Sequence, residues 1–277
     1  MTTSSGSSGA RVAVAFEKAR TEGRAALVGY LPAGFPDIAG SIEALTTMVA
    51  AGCDVIEIGL PYSDPVMDGP TIQTAVQQAL DSGFRVDDLF RVVEAVAATG
   101  TPTLVMTSWN PVARRGVDRF AQQLHDAGGA GLITPDITPD FAPEWIAAAD
   151  ARDLDKVFLV APSSTDERIA QTTAACRGFV YATGIMGVTG TTQATAAGVA
   201  PLVARTKSLS PAGADLPVGV GVGVSTRAQA ADLAALTDGV IVGTAFVRTL
   251  LEHAGDRAAG LHALAGLTED LAGGVRA

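Results

Sequence analysis

The stretch that decides the fold runs from Asp54 to Ala75 and reads DVIEIGLPYSDPVMDGPTIQTA. Its first residues are apolar and β-branched, which predicts a short buried strand, yet Glu57 interrupts them near the end of that strand. Because side chains alternate along a strand, Glu57 shares a face with Val55 and Gly59, and the isoleucines share the other. The carboxylate therefore points away from the more apolar face.

Two further acids follow that strand before Pro70 opens a predicted helix. Asp64 and Asp68 lie on this connection, so three carboxylates gather around one strand end. A lone acid in such a place is more often a solvated side chain, a turn former or a helix cap. The clustering favours a functional site here.

Strand and helix patterns alternate along the rest of the chain, which predicts parallel strands joined by helical crossovers. Eight such units close into a single-domain α/β fold, a (β/α)8 TIM barrel over residues 11–277, with an extra N-terminal helix after a disordered tail at 1–10. A doubly wound open sheet is the alternative, but its G-x-G-x-x-G turn is missing. Besides the strand that carries Glu57, the predicted strands are Ala25–Leu31, Thr103–Ser108, Gly131–Thr134, Lys156–Val160, Gly178–Tyr181, Pro217–Val222 and Gly239–Val242.

The helices predicted between these strands have ordinary lengths and one apolar face. Long connections follow strands two and six, and the second, Thr183–Thr192, is a candidate mobile lid. The predicted helices are Val12–Glu22, Ser41–Ala51, one from Pro70, Asp87–Thr99, Val117–Ala127, Ala142–Ala151, Asp166–Ala175, Ala194–Ser208, Thr226–Leu236 and Ala245–His253.

Composition narrows the class of partner. The net charge is −10 and the pI about 4.7, which argues against nucleic acid and against anionic membrane surfaces. No apolar run is long enough to span a bilayer, and the first residues do not resemble a signal peptide, so we expect a cytoplasmic protein. Cys53 and Cys176 are isolated, which predicts buried thiols without a disulfide, and the histidine spacing predicts no metal site.

Two glycine-rich turns follow the last two predicted strands, where barrels of this type often hold phosphate. Gly221–Ser225 and Gly243–Ala245 would let a ligand approach backbone N–H groups at helix starts. The only lysines are Lys18, Lys156 and Lys207, and Lys156 begins its strand, at the wrong end of the barrel for a Schiff base. A glutamate in an apolar pocket, with its pKa raised toward neutrality, can instead move protons.

Five motifs resemble those of the tryptophan synthase alpha chain family, over nearly the whole chain after the tail. They are GYLPAGFPD at Gly29–Asp37, EIGLPYSDPVMDGPTIQ at Glu57–Gln73, WNPV at Trp109–Val112, GVTG at Gly187–Gly190 and GVGVS at Gly221–Ser225.

This resemblance implies a lyase that splits indole-3-glycerol phosphate into indole and glyceraldehyde 3-phosphate by a retro-aldol reaction. Glu57 would shuttle protons and Asp68 would stabilise positive charge on the indole nitrogen. Thr189 would hydrogen-bond Asp68 when the lid closes. The substrate-binding residues it implies are Tyr30, Tyr181, Thr189, Gly190, Val222, Gly223, Gly243 and Thr244.

The same resemblance implies an αββα heterotetramer in which indole passes to a beta chain that holds pyridoxal phosphate, so no cofactor is expected in this chain. Asp64, Pro65 and Asn110 would face that partner. Some positions depart from the family pattern. Thr244 replaces a usual serine, Ser108 a common tyrosine, and Pro135–Pro139 a proline-rich turn.

Two other functions stay open from the residues alone. A phosphosugar isomerase on the same barrel would use one acid as its base, and a non-catalytic phosphate-binding subunit would only regulate a partner. Release of indole from indole-3-glycerol phosphate separates the lyase from both.

Overall fold

The structure is a computed structural model that describes residues 11–64, 67–184, 196–212 and 215–277. Eight parallel strands pair in chain order, and β1 also pairs with β8, so the sheet is a closed barrel. The predicted TIM barrel is thus confirmed, and the open doubly wound alternative is wrong. The strands are β1 Ala26–Pro32, β2 Val55–Gly59, β3 Thr103–Met106, β4 Gly131–Thr134, β5 Asp155–Val160, β6 Val180–Thr183, β7 Val218–Gly221 and β8 Gly239–Val242.

Helices surround the barrel, and every helix that was predicted lies within a few residues of its predicted position. The N-terminal helix precedes β1, as predicted. None of the described helices is long and apolar enough to cross a membrane. The helices are α1 Arg11–Thr21, α2 Ile38–Ala50, α3 Pro70–Asp81, α4 Val86–Ala97, α5 Trp109–Arg115, α6 Val117–Asp126, α7 Pro143–Asp150, α8 Asp166–Ala175, α9 Ala196–Leu209, α10 Arg227–Ala234, α11 Thr244–Glu252 and α12 Arg257–Gly274.

Two helices were missing from the sequence prediction. Helix α5 follows β3 directly, and Asp136 accepts hydrogen bonds from the Trp109 amide at its start, at 2.9 Å and 3.0 Å. Helix α12 contains glycines and has no regular apolar period, but Leu264 and Leu271 are fully buried against the neighbouring helices α2, α10 and α11. Packing over the whole molecule, and not local propensity, therefore stabilises α12.

Alternation along the strands divides the apolar side chains into two layers. One cluster fills the space between the strands and the helices, and Ile56 and Ile58 belong to it. The other fills the barrel interior and includes Val28 and Val55. Glu57 shares the face of Val55, so its carboxyl group points into the barrel, near the carboxyl end of β2. This is the end at which active sites form in this fold.

Helix α1 closes the opposite end of the barrel. Phe16 stacks on Phe179 of the barrel interior, with ring centroids 5.2 Å apart. A Cβ atom on Gly239, the first residue of β8, would lie 2.6 Å from Phe16 Cε1, so glycine is needed there to let the ring enter. The two rings thereby close part of the amino-terminal end of the barrel, which leaves the other end for the site.

Candidate active site

Glu57 is the most buried acid near the barrel mouth, with 1% of its surface exposed. Its Oε1 has no hydrogen-bond partner within the described part of the chain. Burial raises the pKa of Glu57 from its ordinary value of 4.5 to about 8. At neutral pH this side chain is therefore mostly protonated, and it can donate a proton to a ligand and take it back.

Two tyrosines face Glu57 from other strands. Tyr30 lies beside it on β1 in the same register, and Tyr181 lies on β6. Burial, followed by the charges of Asp68, Glu57 and the Tyr181 phenol, raises the pKa of Tyr30 well above its usual value. Burial and the Glu57 charge likewise raise the pKa of Tyr181. Both phenols therefore stay neutral and are the aromatic neighbours of the acid.

Asp68 lies on the connection between β2 and α3, immediately before Gly69. Its backbone carbonyl accepts a hydrogen bond from Gln73 Nε2 at 2.7 Å, which ties the end of this connection to the first turns of α3. Gly69, and not Asp68, is the N-cap of α3, so the helix-cap alternative for Asp68 is wrong. Burial raises the pKa of Asp68, and the electrostatic effect on Tyr30 places its carboxylate near the same tyrosine that faces Glu57.

The two glycine-rich turns lie side by side, because β7 and β8 are neighbours and Gly221 pairs with Ile241. Gly223 has φ of +76°, a backbone conformation that favours glycine. Gly243 is the N-cap of α11 and Thr244 is its first residue. The first N–H groups of a helix have no partner within it, so the start of α11, with the Thr244 hydroxyl, is a candidate anion-binding site. Val222 is partly buried against the core beside this site.

The rim of the mouth carries the two described residues of the expected partner face. Asn110 Nδ2 donates a 2.6 Å hydrogen bond to Tyr62 Oη, which ties α5 to the connection after β2. Ser63 Oγ donates to Asp64 Oδ2 at 2.9 Å. Asn110 and Asp64 are exposed, as contact with another chain requires. The sequence carried no signal for the Tyr62–Asn110 contact.

The residues that depart from the family pattern lie near this rim. Ser108 is the N-cap residue of α5, although its side chain makes no capping hydrogen bond. Pro139 begins a short 3₁₀ turn that ends at Phe141, whose side chain is 73% exposed. The Asp136 carboxylate holds the Trp109 amide, so this altered turn also supports the start of α5.

Three residues of the expected site lie outside the described residues: Pro65, Thr189 and Gly190. The remainder of the predicted lid beyond Gly184, up to Thr192, lies outside them as well. Their roles stay predictions.

The described lysines of β5 and α9 form ion pairs away from the mouth. Lys156 Nζ forms an ion pair with Asp150, and Lys207 Nζ with Asp238 at 2.9 Å, beside the residue that starts β8. In the described ranges no three His, Cys, Asp or Glu side chains gather as a metal site. Glu57 and Asp68 are thus the candidate proton-transfer groups among the described residues inside the mouth.

Comparison with known proteins identifies the family and supports the fold. A family model described as tryptophan synthase alpha chain matches residues 16–276. The tryptophan synthase alpha chain of Salinispora arenicola is 58% identical over 265 residues, covering 96% of this chain and 97% of the relative. That of Mycobacterium marinum is 54% identical over 266 residues, covering 96% and 95%. A solved structure of Mycobacterium tuberculosis tryptophan synthase superposes with a TM-score of 0.89 at 52% identity, covering 96% of this chain and 98% of that one.

Proposed function

The chain belongs to the tryptophan synthase alpha chain family, and on that premise we propose how its own residues carry the reaction. It is a carbon–carbon lyase of tryptophan biosynthesis that cleaves indole-3-glycerol phosphate into indole and glyceraldehyde 3-phosphate. The roles proposed for its residues come from the resemblance to that family, and the burial of Glu57 and Asp68 at the barrel mouth supports them.

Glu57 is the proton shuttle. In its protonated form it donates a proton to C3 of the indole ring, which leaves an iminium at the ring nitrogen. The resulting carboxylate then takes the proton of the adjacent glycerol hydroxyl. The bond between C3 and the glycerol carbon breaks, its electrons return to the ring, and the hydroxyl carbon becomes the aldehyde. Glu57 ends protonated again, and the indole ring has served as its own electron acceptor.

Asp68 stabilises the charge that develops during this sequence. Its carboxylate accepts a hydrogen bond from the indole N–H, whose positive charge grows when C3 is protonated. A fixed anion in a largely desolvated site stabilises such a transition state more than it stabilises the neutral ground state. Burial supports the assignment of proton transfer to Glu57 and charge stabilisation to Asp68, since Glu57 is almost fully buried and Asp68 only partly so.

The substrate's phosphate lies against the paired turns. Gly223, Gly243 and Thr244 supply backbone N–H groups and one hydroxyl, and the start of α11 adds its positive dipole end. Tyr30 and Tyr181 line the space between this phosphate site and the acids, where the indole ring and the glycerol chain fit. Val222 packs beside the phosphate. Thr189 and Gly190 are proposed to complete the site.

The single observation that carries this proposal is the enclosed Glu57 beside two neutral phenols. The test is indole release from indole-3-glycerol phosphate by the purified chain. We expect Glu57→Gln to lose at least about 100-fold in kcat, because general acid–base catalysis contributes that much. Asp68→Asn should lose on the order of 100-fold, because charge stabilisation is removed.

Glu94→Gln is the matched control for this assay, since Glu94 is exposed on α4, far from the mouth. It should leave indole release unchanged. Circular dichroism of each variant shows whether the fold is intact. A folded Glu57→Gln chain that keeps indole release within about tenfold of the original would contradict the assignment of the proton shuttle.

The family implies a beta-chain partner for this subunit, which as an alpha chain needs no cofactor itself. The proposed assembly is an αββα heterotetramer in which the beta chain holds pyridoxal phosphate and receives the indole. Asp64 and Asn110, at the rim of the barrel mouth, belong to the proposed contact face, and Pro65 is proposed to contribute to it. A cytoplasmic location is part of the same proposal. Light scattering of the purified alpha and beta chains, mixed in equal amounts, measures the stoichiometry. A complex whose mass differs from that of two alpha and two beta chains would contradict the heterotetramer.

A further inference from the structure

The Tyr30 ring lies across the barrel mouth and has little room to move. Its side chain is 8% exposed. A Cβ atom on Gly59, at the end of β2, would clash with Tyr30 Oη and lie 2.7 Å from Cζ. A Cβ atom on Gly243, after β8, would lie 2.9 Å from Tyr30 Cδ1. The ring therefore spans from the end of β8 to the end of β2 and occupies the space that these two glycines leave free.

This position puts the ring on the mouth side of Glu57. Tyr30 and Glu57 are register partners on neighbouring strands, and both point into the barrel. Gly59 is the next residue of β2 on the same face as Glu57, so the hydroxyl end of the ring lies one step nearer the mouth than the acid. Neither glycine has a positive φ, so the close approach of the ring, and not the backbone conformation, requires glycine at both positions.

The charged and titratable groups around Glu57 are few in the described part of the chain. Tyr30 faces it from β1 and Tyr181 from β6, while Asp68 reaches Tyr30 from the connection after β2. Desolvation is the cause of the raised pKa of Glu57, and no charged neighbour adds to it. Whatever keeps water away from Glu57 therefore determines its proton affinity.

We propose that Tyr30 is a positioning residue whose ring, wedged between Gly59 and Gly243, keeps water off Glu57 and so holds that carboxyl group in its protonated form. The ring performs this task and the phenol hydroxyl does not. The inference rests on the proposed function of Glu57 as proton shuttle, because a protonated Glu57 is the form that starts the reaction.

The test compares Tyr30→Phe with Tyr30→Ala in the full-length chain, using the pH dependence of kcat/KM for indole release. The alkaline limb of that profile reports the pKa of Glu57 in the free enzyme. We expect the midpoint of this limb near pH 8 in the original chain and in Tyr30→Phe, which keeps the ring. In Tyr30→Ala water reaches Glu57, and the limb should move down by about one pH unit or more.

Tyr62→Ala is the matched control, since it removes a phenol from the rim without uncovering Glu57. Its alkaline limb should stay in place. Gly59→Ala is a second route to the same effect, because the added methyl group displaces the ring, and its limb should move in the same direction as that of Tyr30→Ala. An unmoved limb in folded Tyr30→Ala or in folded Gly59→Ala overturns the inference. So does an equal shift in Tyr30→Phe, which would assign the effect to the hydroxyl.

A second measurement separates this inference from the proposed function. Carbon-13 NMR of glutamate-labelled chain, with Glu57→Gln used to assign the signal, gives the titration of Glu57 without any substrate. If the original chain releases no indole, the proposed function fails, but the NMR titration still decides the role of Tyr30. If indole is released and the NMR titration of Glu57 is the same in Tyr30→Ala as in the original chain, only the present inference fails.

Discussion

At the scale of single residues, the buried carboxyl group of Glu57 provides reactivity and lowers the stability of the fold. A carboxyl group that is 1% exposed, with one oxygen unpaired among the described residues, is an unfavourable choice for a barrel interior. An amide or an apolar side chain would suit that position better. The proposed role as proton shuttle accounts for its presence, because a carboxyl group that titrates near neutrality can give and take a proton.

This cost should appear as a pH-dependent stability difference between the original chain and Glu57→Gln. The pKa of Glu57 rises from 4.5 in the unfolded chain to about 8 in the folded one. The stability from its protonated form is complete below pH 4.5 and is lost progressively as the pH rises from 4.5 through 8. Glutamine does not ionise, so the variant keeps that stability, and the gain should be on the order of 3 kcal/mol at pH 7.

Urea unfolding of both chains at pH 4 and at pH 7 measures this difference. The two free energies of unfolding should lie close together at pH 4 and separate at pH 7, with the inactive variant the more stable. Glu94→Gln is again the control, because an exposed side chain should change stability by no more than about 0.5 kcal/mol. A Glu57→Gln chain that is less stable at pH 7 would show that the carboxyl group is well solvated or paired.

At the scale of elements, the strand register determines which side chains meet at the carboxyl end of the barrel, and α1 closes the amino-terminal end. The barrel register places Tyr30 beside Glu57, and the pairing of β7 with β8 places two glycine-rich turns side by side. Helix α1 contributes nothing to the carboxyl end of the barrel. Its Phe16 enters the amino-terminal end and stacks on Phe179, so we expect α1 to contribute to stability and not to the chemistry.

Phe16→Ala should therefore destabilise the chain without changing its chemistry. Removing a buried phenylalanine ring costs about 3–5 kcal/mol, since a cavity remains over Phe179. Val14→Ala on the same helix is the control, because Val14 is 61% exposed, and its effect should stay within about 0.5 kcal/mol. Urea unfolding and the kcat for indole release are measured on both. A large loss of kcat in folded Phe16→Ala would show that the base of the barrel shapes the mouth.

At the scale of the whole molecule, the two ends of the barrel have different tasks. The amino-terminal end is filled by α1, while the carboxyl end holds the acids, the turns and an exposed rim. Helix α12 packs against α2, α10 and α11, which brings the last part of the chain against one of the first helices. The exposed rim is the surface through which a product could leave toward another subunit.

The rim predicts where the beta chain binds. Asn110→Ala removes both the exposed amide and its hydrogen bond to Tyr62, and Asp64→Ala removes an exposed charge. Each should weaken binding of the purified beta chain by about five- to tenfold, as expected for a contact worth roughly 1 kcal/mol. Asp232→Ala, exposed on α10, is the control and should bind normally. Isothermal titration calorimetry measures all three, and normal binding by both rim variants would place the interface elsewhere.

The sequence by itself determined the barrel, the inward direction of Glu57 and the position of the glycine turns. Each of these follows from short-range patterns: alternation along a strand, strand–helix order, and glycine after a strand. It did not reveal α5 or α12, because their stability comes from contacts with distant elements.

Only the tertiary structure decided what surrounds Glu57. Tyr30 covers the acid because the register of β1 and β2 aligns them, and its ring fits because Gly59 and Gly243 leave room. These residues are far apart in the chain, and no local pattern records that they meet. The raised pKa of Glu57 is likewise a property of the closed barrel, because only burial on all sides removes the water that would otherwise keep this carboxyl group ionised.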